Sequence, residues 1–283
     1  MYIKSFKYNV EKDVFMLSLA FIGGTGLENL LNNGIRKKIK TPFGDVNVTL
    51  GKINNHDIMF IPRHGYNHET PPHLVNYKSI IYSIRKLGVK KIVATGSVGS
   101  LNTSCKPGDL VLIDQFLDFT KNRQYSFYDE VYHTDMTEPF CIQLREKILN
   151  TGLKLGLNII PNGTYACFEG PRFETKAEIN AVKILGADLV GMTLSPEVVL
   201  AKELGICYAS ISVVTNWAAG IQDKITVDEV YKTMSTMIDD LRNLFTESTP
   251  SIHNIIREKN CMDMEKQAEL FCKKTESKFS GLI

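Results

Sequence analysis

The stretch that decides the fold runs from His56 to Ser100 and reads HDIMFIPRHGYNHETPPHLVNYKSIIYSIRKLGVKKIVATGSVGS. Two short apolar runs, DIMFIP and KIVATGSVG, lie near its ends and predict buried strands. Between them, residues His73–Leu87 carry apolar side chains at helical spacing, and Gly88 is the predicted C-terminal stop. The stretch therefore predicts a strand, a helix and a second strand.

The same alternation continues along the rest of the chain. Further strands are predicted at LSLAFIGG, VNVTLGKI, GDLVLIDQF, GTYACFEG, ADLVGMT and CYASISVV. Helices are predicted after a capping box of Thr175 and Glu178, after Ser195 as an N-cap, and over Val227–Phe245. Buried strands alternating with helices predict an α/β fold, with a mixed, largely parallel twisted sheet flanked by helices in one three-layer domain over residues 1–283.

The composition and net charge indicate which kinds of binding partner the protein can have. The chain has 283 residues, of which 43% are hydrophobic and 23% charged, as expected for a soluble globular protein with a large core. The formal net charge is +2 and no long basic block occurs, so no nucleic-acid partner is expected. No run approaches the roughly 20 apolar residues of a membrane span, so no membrane partner is expected either. A small ligand fits this composition better.

The two ends of the chain differ from its centre. Residues 1–16 are interpreted as an extension or an additional strand. Residues 249–283 are interpreted as a more polar tail, which is expected to be mobile. The run VFMLSLAFIGG resembles the apolar region of a signal peptide. Because it ends in a glycine-rich turn that leads into the α/β pattern, Leu17–Ile22 is interpreted as the first buried strand.

The cysteines indicate the redox environment. Six of them are scattered, without a C-x-x-C pair, at positions 105, 141, 167, 207, 261 and 272. Scattered thiols in a chain of this length fit a reducing compartment better than a disulfide framework, so the protein is expected to be cytoplasmic. Cys167 and Cys207 stand in apolar runs and are expected to act as small core residues.

The ends of the predicted strands are the places to search for a ligand, because open α/β sheets bind ligands beyond the carboxyl ends of their strands. These ends are polar or glycine-rich: Gly23–Gly26, Arg63–His64, Gly96–Ser97, Phe173–Glu174, Met192–Thr193 and Asn216.

Three of these ends carry groups suited to an anion. The loop IGGTG offers backbone N–H groups and the hydroxyl of Thr25. Arg63 has a planar fork that matches phosphate oxygens, and His64 adds a second donor. Thr193 precedes a predicted helix whose N-terminus favours negative charge. A dinucleotide would need a third glycine, which G-G-T-G-L-E lacks, so a phosphate-sized anion is the favoured ligand.

A metal site near this loop was the other interpretation. His64, His68 and His73 lie close in sequence, but their spacing suits a metal only on a helix, which the intervening prolines forbid. No Cys or Asp stands nearby with zinc-like spacing. No metal is therefore expected.

Taken together, the motifs resemble those of the trimeric purine nucleoside phosphorylase and methylthioadenosine phosphorylase family. The resemblance runs from about Leu17 to Leu244, in the family's order, through IGGTGLE, PRHGYNHETPPHLVNY, SVGSL, PGDLVLIDQFLDFTKNRQYSFYD, EGPRFETKAE, GMTLSPEVVLAKE and VVTNWAAG. It implies phosphorolysis, in which inorganic phosphate attacks C1′ of a purine nucleoside and releases the base and a ribose 1-phosphate. It implies no cofactor, since phosphate is a co-substrate, and a homotrimer or dimer of trimers.

The resemblance also implies roles for individual residues. Met192 would pack on the ribose, Phe173 would lie against the base, and Ala218 would line the substrate pocket. His64, Glu174 and Asn216 would take part in catalysis. Phosphate would be held by Thr25, Arg63, His64, Gly96, Ser97 and Thr193. The pair Gly96–Ser97 departs from the Thr-Ala pair usual in the methylthioadenosine branch, and Trp217 either lines the base pocket or packs in the core.

Two positions predict the class of base. By resemblance, members that act on 6-aminopurines carry aspartate at position 216, whereas 6-oxopurine members carry asparagine, which donates to N7 and O6. The second position is Glu174, where the methylthioadenosine branch tends to have serine. A carboxylate accepts the N1 proton of a 6-oxopurine but faces a lone pair on adenine. Asn216 and Glu174 therefore both favour hypoxanthine or guanine.

The residues expected near the 5′ end of the sugar resemble those of the methylthioadenosine branch instead. By resemblance, Val227 and Val230 stand where apolar residues of the methylthio branch cover a 5′-methylthio group; the alternative is that both are core residues. An apolar pocket disfavours a hydroxyl, which would lose water without gaining a partner. By resemblance, His68 and His133 would border this end, where a neighbouring subunit helps to close the pocket in the family. The predicted substrates are 5′-methylthioinosine, inosine and guanosine.

Other activities remain open from the sequence alone. The first is a methylthioadenosine phosphorylase that releases adenine. The second is a hydrolytic nucleosidase, and the third a nucleoside-binding protein without catalysis.

Overall fold

The computed structural model describes residues 8–10, 13–24, 27, 30–31, 33–257 and 259–280, and Thr25 lies outside them. The strands are β1 Tyr8–Val10, β2 Asp13–Phe15, β3 Leu19–Gly23, β4 Ile35–Ile39, β5 Val46–Ile53, β6 His56–Pro62, β7 Lys91–Ser100, β8 Leu110–Leu112, β9 Gln115–Phe119, β10 Ile159–Ile160, β11 Thr164–Phe168, β12 Leu189–Gly191 and β13 Cys207–Trp217. The helices are α1 Tyr77–Lys86, α2 Ile142–Lys154, α3 Lys176–Ile184, α4 Glu197–Glu203, α5 Val227–His253, α6 Lys259–Met262 and α7 Glu265–Ser280.

Within the described residues, eleven strands form one mixed sheet, and β1 and β2 pair as a separate hairpin. The main path of the sheet runs β10-β8-β13-β7-β3-β6-β5-β4, while β12, β11 and β9 branch from β7. The central strands β13, β7, β3 and β6 are parallel to one another. This arrangement confirms the predicted α/β class with a mixed, largely parallel sheet.

Helices cover both faces of the sheet. On one face α1 and α4 pack over a core that includes Ile81, Ile92 and Val198. On the other face α2 and α5 pack over a second core, where Phe245 of α5 stacks on Phe21 of β3 with ring centroids 4.6 Å apart. The central strands are thus buried from both sides, as their continuous apolar sequence predicted. Among the described residues, no helix has the length and apolar character needed to cross a membrane.

The predicted helix over His73–Leu87 is shorter in the structure. Pro72–Leu74 form a separate 3-10 turn, and α1 begins at Tyr77. Asn76 is the N-cap, because its side-chain oxygen accepts a hydrogen bond from the N–H of Ser79 at 3.1 Å. The predicted stop is confirmed, since Gly88 follows the helix with a φ of 79°.

The predicted N-cap at Ser195 is wrong, whereas the capping box of Thr175 and Glu178 is confirmed. Helix α4 begins at Glu197, after Pro196, and has no side-chain cap. The hydroxyl of Ser195 instead donates to a carboxylate oxygen of Asp118. Sequence alone could not reveal this partner, because it comes from a strand that is distant along the chain.

The last predicted helix is longer than expected. Helix α5 continues through Pro250 to His253, although a proline lacks the N–H that would bond the carbonyl of residue 246. The side chain of Asn54 donates to that carbonyl of Thr246 at 2.8 Å and satisfies it. Beyond α5, the region interpreted as a polar tail forms α6 and α7, with Met264 and Ala268 buried against the rest of the protein.

Candidate functional site

The parallel strands β6, β7 and β13 carry Arg63, Gly96 and Asn216 at or near their carboxyl ends. Strand β7 lies between β3 and β13, and its Gly96 and Gly99 lie opposite Ser212 and Asn216 of β13. The sequence placed Gly96 and Ser97 at the end of a strand, but β7 continues to Ser100, so both lie within it. The last residues of β7 pair with β13 on one side and with β12 in the antiparallel sense on the other.

A space without side chains faces Arg63 and Thr193. A Cβ added to Gly96 would lie 3.4 Å from Oγ1 of Thr193 and 3.9 Å from Nη1 of Arg63. A Cβ added to Gly24 would lie 3.9 Å from the same Nη1 atom. Gly24, directly after β3, and Gly96, within β7, therefore leave room beside the guanidinium. A small cavity beside Gly96 is lined by Arg63, Thr95 and Thr193, among others. This arrangement suits an oxyanion.

Arg63 is held by a carboxylate that the sequence analysis missed. Its Nε and Nη2 atoms donate to the two oxygens of Glu197 at 2.7 and 2.8 Å, and Nη1 donates to the carbonyl of Thr95 at 2.8 Å. Both charged side chains are buried. Burial alone would lower the pKa of Arg63, but the charge of Glu197 and its hydrogen bond raise it above the ordinary value. The guanidinium is thus charged and fixed in orientation.

His64 lies beside this group in the neutral form. Burial, followed by the charge of Arg63, lowers the pKa of His64 to about 4. Its Nδ1 atom is 2.8 Å from the carbonyl oxygen of Thr70, which can only accept, so the N–H is at Nδ1 and Nε2 is an acceptor. The ring packs against His68 with centroids 4.6 Å apart. His64 can therefore accept a proton or hydrogen bond from a bound group.

Asn216 presents a donor of fixed orientation. Its Oδ1 accepts from the hydroxyl of Thr215 at 2.8 Å, and its Nδ2 donates to the carbonyl of Trp217 at 2.8 Å. These two partners distinguish the two ends of the amide and leave one N–H of Nδ2 for a ligand. Strand β13 has a bulge between Val214 and Asn216, and such bulges re-aim side chains next to active sites.

Two neighbours of Asn216 define the wall behind it. The Cβ that Gly99 lacks would lie 3.1 Å from Nδ2 of Asn216 and 3.5 Å from the Cα of the buried Ala218. Trp217 is partly buried, and its backbone N–H donates to Gln222 at 2.8 Å. The backbone of Trp217 therefore holds the amide and the following turn, while the two predicted roles of its indole ring stay open.

Glu174 is a buried carboxyl group with an unused oxygen. It is 7% exposed, and its Oε1 has no hydrogen-bond partner among the described residues. Burial is the main reason that the pKa of Glu174 is raised to about 7. The residue directly precedes the capped start of α3, and Lys176 of this helix packs against Gly220 in the turn after Asn216. A buried oxygen without a hydrogen-bond partner costs folding free energy, unless a bound ligand donates a hydrogen bond to it.

The loops around the remaining predicted residues are joined by Arg123, which the sequence analysis missed. Its side chain is almost fully buried. Nη2 donates to the carbonyls of Glu169 and Met192, each at 2.8 Å, and Nη1 donates to the carbonyl of Ser195. Met192 in turn packs where Gly170 lacks a side chain. One guanidinium thus connects the segment before Phe173, which is 38% exposed, to the segment around Thr193.

Replacing Arg123 by lysine is expected to lower kcat/KM for the nucleoside by about 10–100-fold. A compact ammonium lacks the planar spread with which Nη1 and Nη2 reach carbonyls on separate segments, and small misplacements of reacting groups are costly. Steady-state kinetics with each substrate varied would measure the effect. Arg145→Lys is the matched control, since Arg145 also donates to a backbone carbonyl, that of Pro161. Loss of kcat/KM in both variants alike, or only in proportion to lost folded protein, would contradict a positioning role.

The residues assigned to the 5′ end lie in two different places. Val227 is 55% exposed, which excludes the alternative that it is a core residue, and Val230 is partly buried one turn further along α5. The next residue, Tyr231, lies 6.0 Å from the ring of His68, so the start of α5 faces the histidine loop. His133 is exposed on a loop whose neighbour Tyr132 contacts Met264, so one chain alone does not bring it to the strand ends.

The chain is similar to known proteins in both sequence and fold. The chain is 46% identical over 258 residues to a probable 6-oxopurine nucleoside phosphorylase of Thermococcus kodakarensis, covering 87% of this chain and 96% of that protein. It is 49% identical over 230 residues to a probable S-methyl-5′-thioinosine phosphorylase of Methanopyrus kandleri, covering 80% and 88% of the two. Among solved structures, methylthioadenosine phosphorylase of Schistosoma mansoni in complex with adenine superposes with a TM-score of 0.82 at 28% identity, covering 92% and 98%.

The match extends over nearly the whole chain. The model of the phosphorylase superfamily matches residues 18–269, which include every described strand of the large sheet and the candidate site. The resemblance inferred from the motifs is thereby confirmed. The chain belongs to the phosphorylase superfamily.

Proposed function

We propose that the protein is a pentosyltransferase that cleaves purine nucleosides by phosphorolysis, giving the free base and a ribose or 5-methylthioribose 1-phosphate. The observation that carries this proposal is the space between Gly24 and Gly96, faced by Nη1 of Arg63 and the hydroxyl of Thr193. Relatives named as 6-oxopurine, methylthioinosine and methylthioadenosine phosphorylases support the same reaction class.

The reaction follows from charge placement. Breaking a glycosidic bond places positive charge on the sugar, in an oxocarbenium-like transition state. A phosphate held by Arg63 and Thr193 beneath the sugar would stabilise this charge and act as the nucleophile, so no acidic side chain is required there. Neutral His64 would accept a hydrogen bond at Nε2 from a phosphate or sugar hydroxyl. No cofactor or metal enters this scheme.

The base would be a 6-oxopurine. As the bond to the sugar breaks, the base gains negative charge, and the remaining N–H of Asn216 would donate to N7 or O6. The unpartnered Oε1 of Glu174 would accept the N1 proton. A donor and an acceptor held in these orientations match hypoxanthine or guanine.

A second candidate, release of adenine from methylthioadenosine, is favoured by one observation. Because the pKa of Glu174 is raised to about 7, its carboxyl group is protonated in part of the molecules near neutral pH. A protonated carboxyl group can donate to the bare N1 of adenine. The ratio of the two activities would then depend on pH.

The pH dependence of kcat/KM tests the role of Glu174. Above pH 7 the carboxylate is ionised and accepts N1–H, so kcat/KM for inosine is expected to rise with pH through about 7 and to fall below it. The value for methylthioadenosine is expected to change in the opposite direction. Glu174→Gln should remove the change in kcat/KM near pH 7 and reduce 6-oxopurine turnover more than 6-aminopurine turnover. Glu146→Gln, on the exposed side of α2, is the control. Retention of the step in Glu174→Gln would contradict this assignment.

The 5′ substituent would be apolar. Val227 and Val230 at the start of α5 would cover a methylthio group, which loses little on transfer from water. We therefore propose 5′-methylthioinosine as a substrate beside inosine and guanosine. Val227, which is exposed in the single chain, would be buried against the methylthio group.

One paired assay tests the whole proposal. Inosine, guanosine, methylthioinosine and methylthioadenosine would each be followed by ultraviolet absorbance, with and without phosphate. The expected result is release of base only with phosphate, and fastest from the 6-oxopurine nucleosides near pH 8. Equal rates without phosphate would identify a hydrolase, faster release of adenine would favour the second candidate, and tight binding without product would identify a binding protein.

We also propose a homotrimer or a dimer of trimers in the cytoplasm. A neighbouring subunit would be the source of His133, which is exposed in the single chain. The described cysteines are all unpaired, which supports a reducing compartment.

A further inference from the structure

A cluster of three thiols lies away from the candidate site. Within the described part of the chain, Cys141, Cys207 and Cys261 form the one group of three or more potential metal ligands, with sulfur atoms all within 4.8 Å of one another. They come from the start of α2, the first residue of β13 and helix α6. Cys207 is nine residues before Asn216 on β13, so the cluster is about 30 Å from the base site along the strand.

The separation of the sulfur atoms fits a shared ion. Thiolates bound to Zn²⁺ lie about 2.3 Å from the metal, which places neighbouring sulfur atoms roughly 4 Å apart. The observed limit of 4.8 Å is close to this value before any ion draws the ligands together. A disulfide, in contrast, requires about 2 Å and would leave the third thiol unused.

A helix N-terminus and two lysines lie next to the cluster. Cys141 is the N-cap residue of the 13-residue helix α2, where the helix dipole stabilises negative charge. The buried Lys91 interacts electrostatically with Cys141 and Cys207, and Lys202 interacts with Cys261. Three thiolates with a divalent cation leave a net charge of −1, which these lysines offset.

The position of the cluster gives the ion a structural role. The N–H of Cys141 donates to the carbonyl of Tyr208 at 2.8 Å, so α2 and the start of β13 are already joined. Lys91 donates to the carbonyls of Ile252 and His253 at 2.9 and 2.8 Å and thereby ties the end of α5 to the same place. An ion bound by Cys261 as well would fasten the following segment, and with it α7, to the sheet.

We propose that Cys141, Cys207 and Cys261 bind a thiophilic divalent cation of the zinc class, which fixes the C-terminal helices and takes no part in phosphorolysis. Binding replaces the three S–H protons by three metal–sulfur bonds and releases the protons to solvent. The fourth ligand is water, which reaches the ion on the side of Cys261, because this residue is partly exposed whereas the other two are buried.

The experiment uses the full-length protein, purified with a reductant and freed of metal by chelation. Zn²⁺ is titrated in competition with a chromophoric chelator, and Cd²⁺ is titrated separately to detect thiolate-to-metal charge-transfer absorption. One equivalent of each is expected to bind. Zn²⁺ is also expected to raise the melting temperature.

Cys261→Ser is the test variant, because this residue is the least buried of the three. It is expected to lose at least about 100-fold in Zn²⁺ affinity, the charge-transfer band and the melting-temperature shift, while phosphorolysis is unchanged. Cys272→Ser, at another partly exposed cysteine, is the control and is expected to bind like the unmodified protein. Circular dichroism shows that each variant is folded.

Three results would overturn the proposal: no Zn²⁺ binding by the fully reduced protein, undiminished binding by Cys261→Ser, or a disulfide between two of the three cysteines in peptides from the protein purified without reductant. None of these results bears on the phosphate and nucleoside assays, so the metal site and the proposed reaction can fail independently.

Discussion

Asn216→Asp is expected to shift the preference of the enzyme from 6-oxopurine to 6-aminopurine nucleosides by on the order of 10²- to 10⁴-fold in the ratio of kcat/KM values. In the native protein, Oδ1 accepts from the hydroxyl of Thr215 and Nδ2 donates to the carbonyl of Trp217. Exchanging the two ends of the amide would place two acceptors, Oδ1 and the Trp217 carbonyl, against each other. The donor that faces the ligand is therefore always nitrogen.

Aspartate changes this donor in a defined way. The oxygen that replaces Nδ2 faces the carbonyl of Trp217, and an ionised carboxylate there would place two acceptors together in a buried site. The ionised form loses the hydrogen bond to N7 or O6 that stabilises a departing 6-oxopurine. It gains an acceptor for the exocyclic amine of adenine, and the protonated form can still donate to N7.

The measurement is kcat/KM for inosine and for methylthioadenosine at saturating phosphate, with Asn150→Asp as the control. Asn150 lies exposed on α2, so the same change of charge should leave the ratio unaltered there. An unchanged ratio in Asn216→Asp, with activity retained, would show that position 216 does not read the base. Inactivity toward both bases, with the melting temperature preserved, would assign Asn216 to catalysis without selectivity.

The regular parts of the fold could be predicted from the sequence because their signal is local. Alternating apolar runs predicted the sheet, and Thr175 with Glu178 predicted the start of α3. Failures arose where a distant residue overrides the local pattern. Asn54 satisfies the carbonyl that Pro250 leaves free, so the proline does not end α5.

The candidate site shows the same division. Arg63 and Thr193 could be chosen because their residue types suit an anion and they follow predicted strands. Glu197 could not, because an acidic residue in the first turn of a helix normally indicates nothing more than compensation of the dipole. Arg123 lies in a polar stretch without periodicity, and the carbonyls that it binds belong to loops after two other strands. Residues that would contact the ligand can thus be predicted from the sequence, whereas residues that orient them, such as Glu197 and Arg123, cannot.

Glu197 gives the second large effect. It is fully buried, and its Oε1 accepts from Tyr208 at 2.7 Å in addition to Arg63. Removing one member of a buried ion pair leaves a charge without compensation, which costs about 3–5 kcal/mol, whereas replacing both members by apolar residues of similar size is often neutral. Arg63 does not avoid this cost by losing its proton, because the ordinary pKa of a guanidinium is far above neutral pH.

Glu197→Gln is therefore expected to lower the free energy of unfolding by about 3–5 kcal/mol, and the double variant Arg63→Met with Glu197→Leu to recover most of that loss. Both the double variant and Arg63→Ala are expected to lose about 10²- to 10³-fold in kcat/KM for phosphate, since a fixed donor to the oxyanion is removed. Urea unfolding and phosphate titration at fixed nucleoside measure the two effects.

In Glu197→Gln, added phosphate should raise the urea midpoint more than in the native protein, because phosphate becomes the counter-ion of Arg63. A double variant as unstable as the sum of Arg63→Met and Glu197→Leu would show that the two side chains do not compensate each other, which would contradict the ion-pair argument. A normal response to phosphate in Arg63→Ala would place the anion elsewhere.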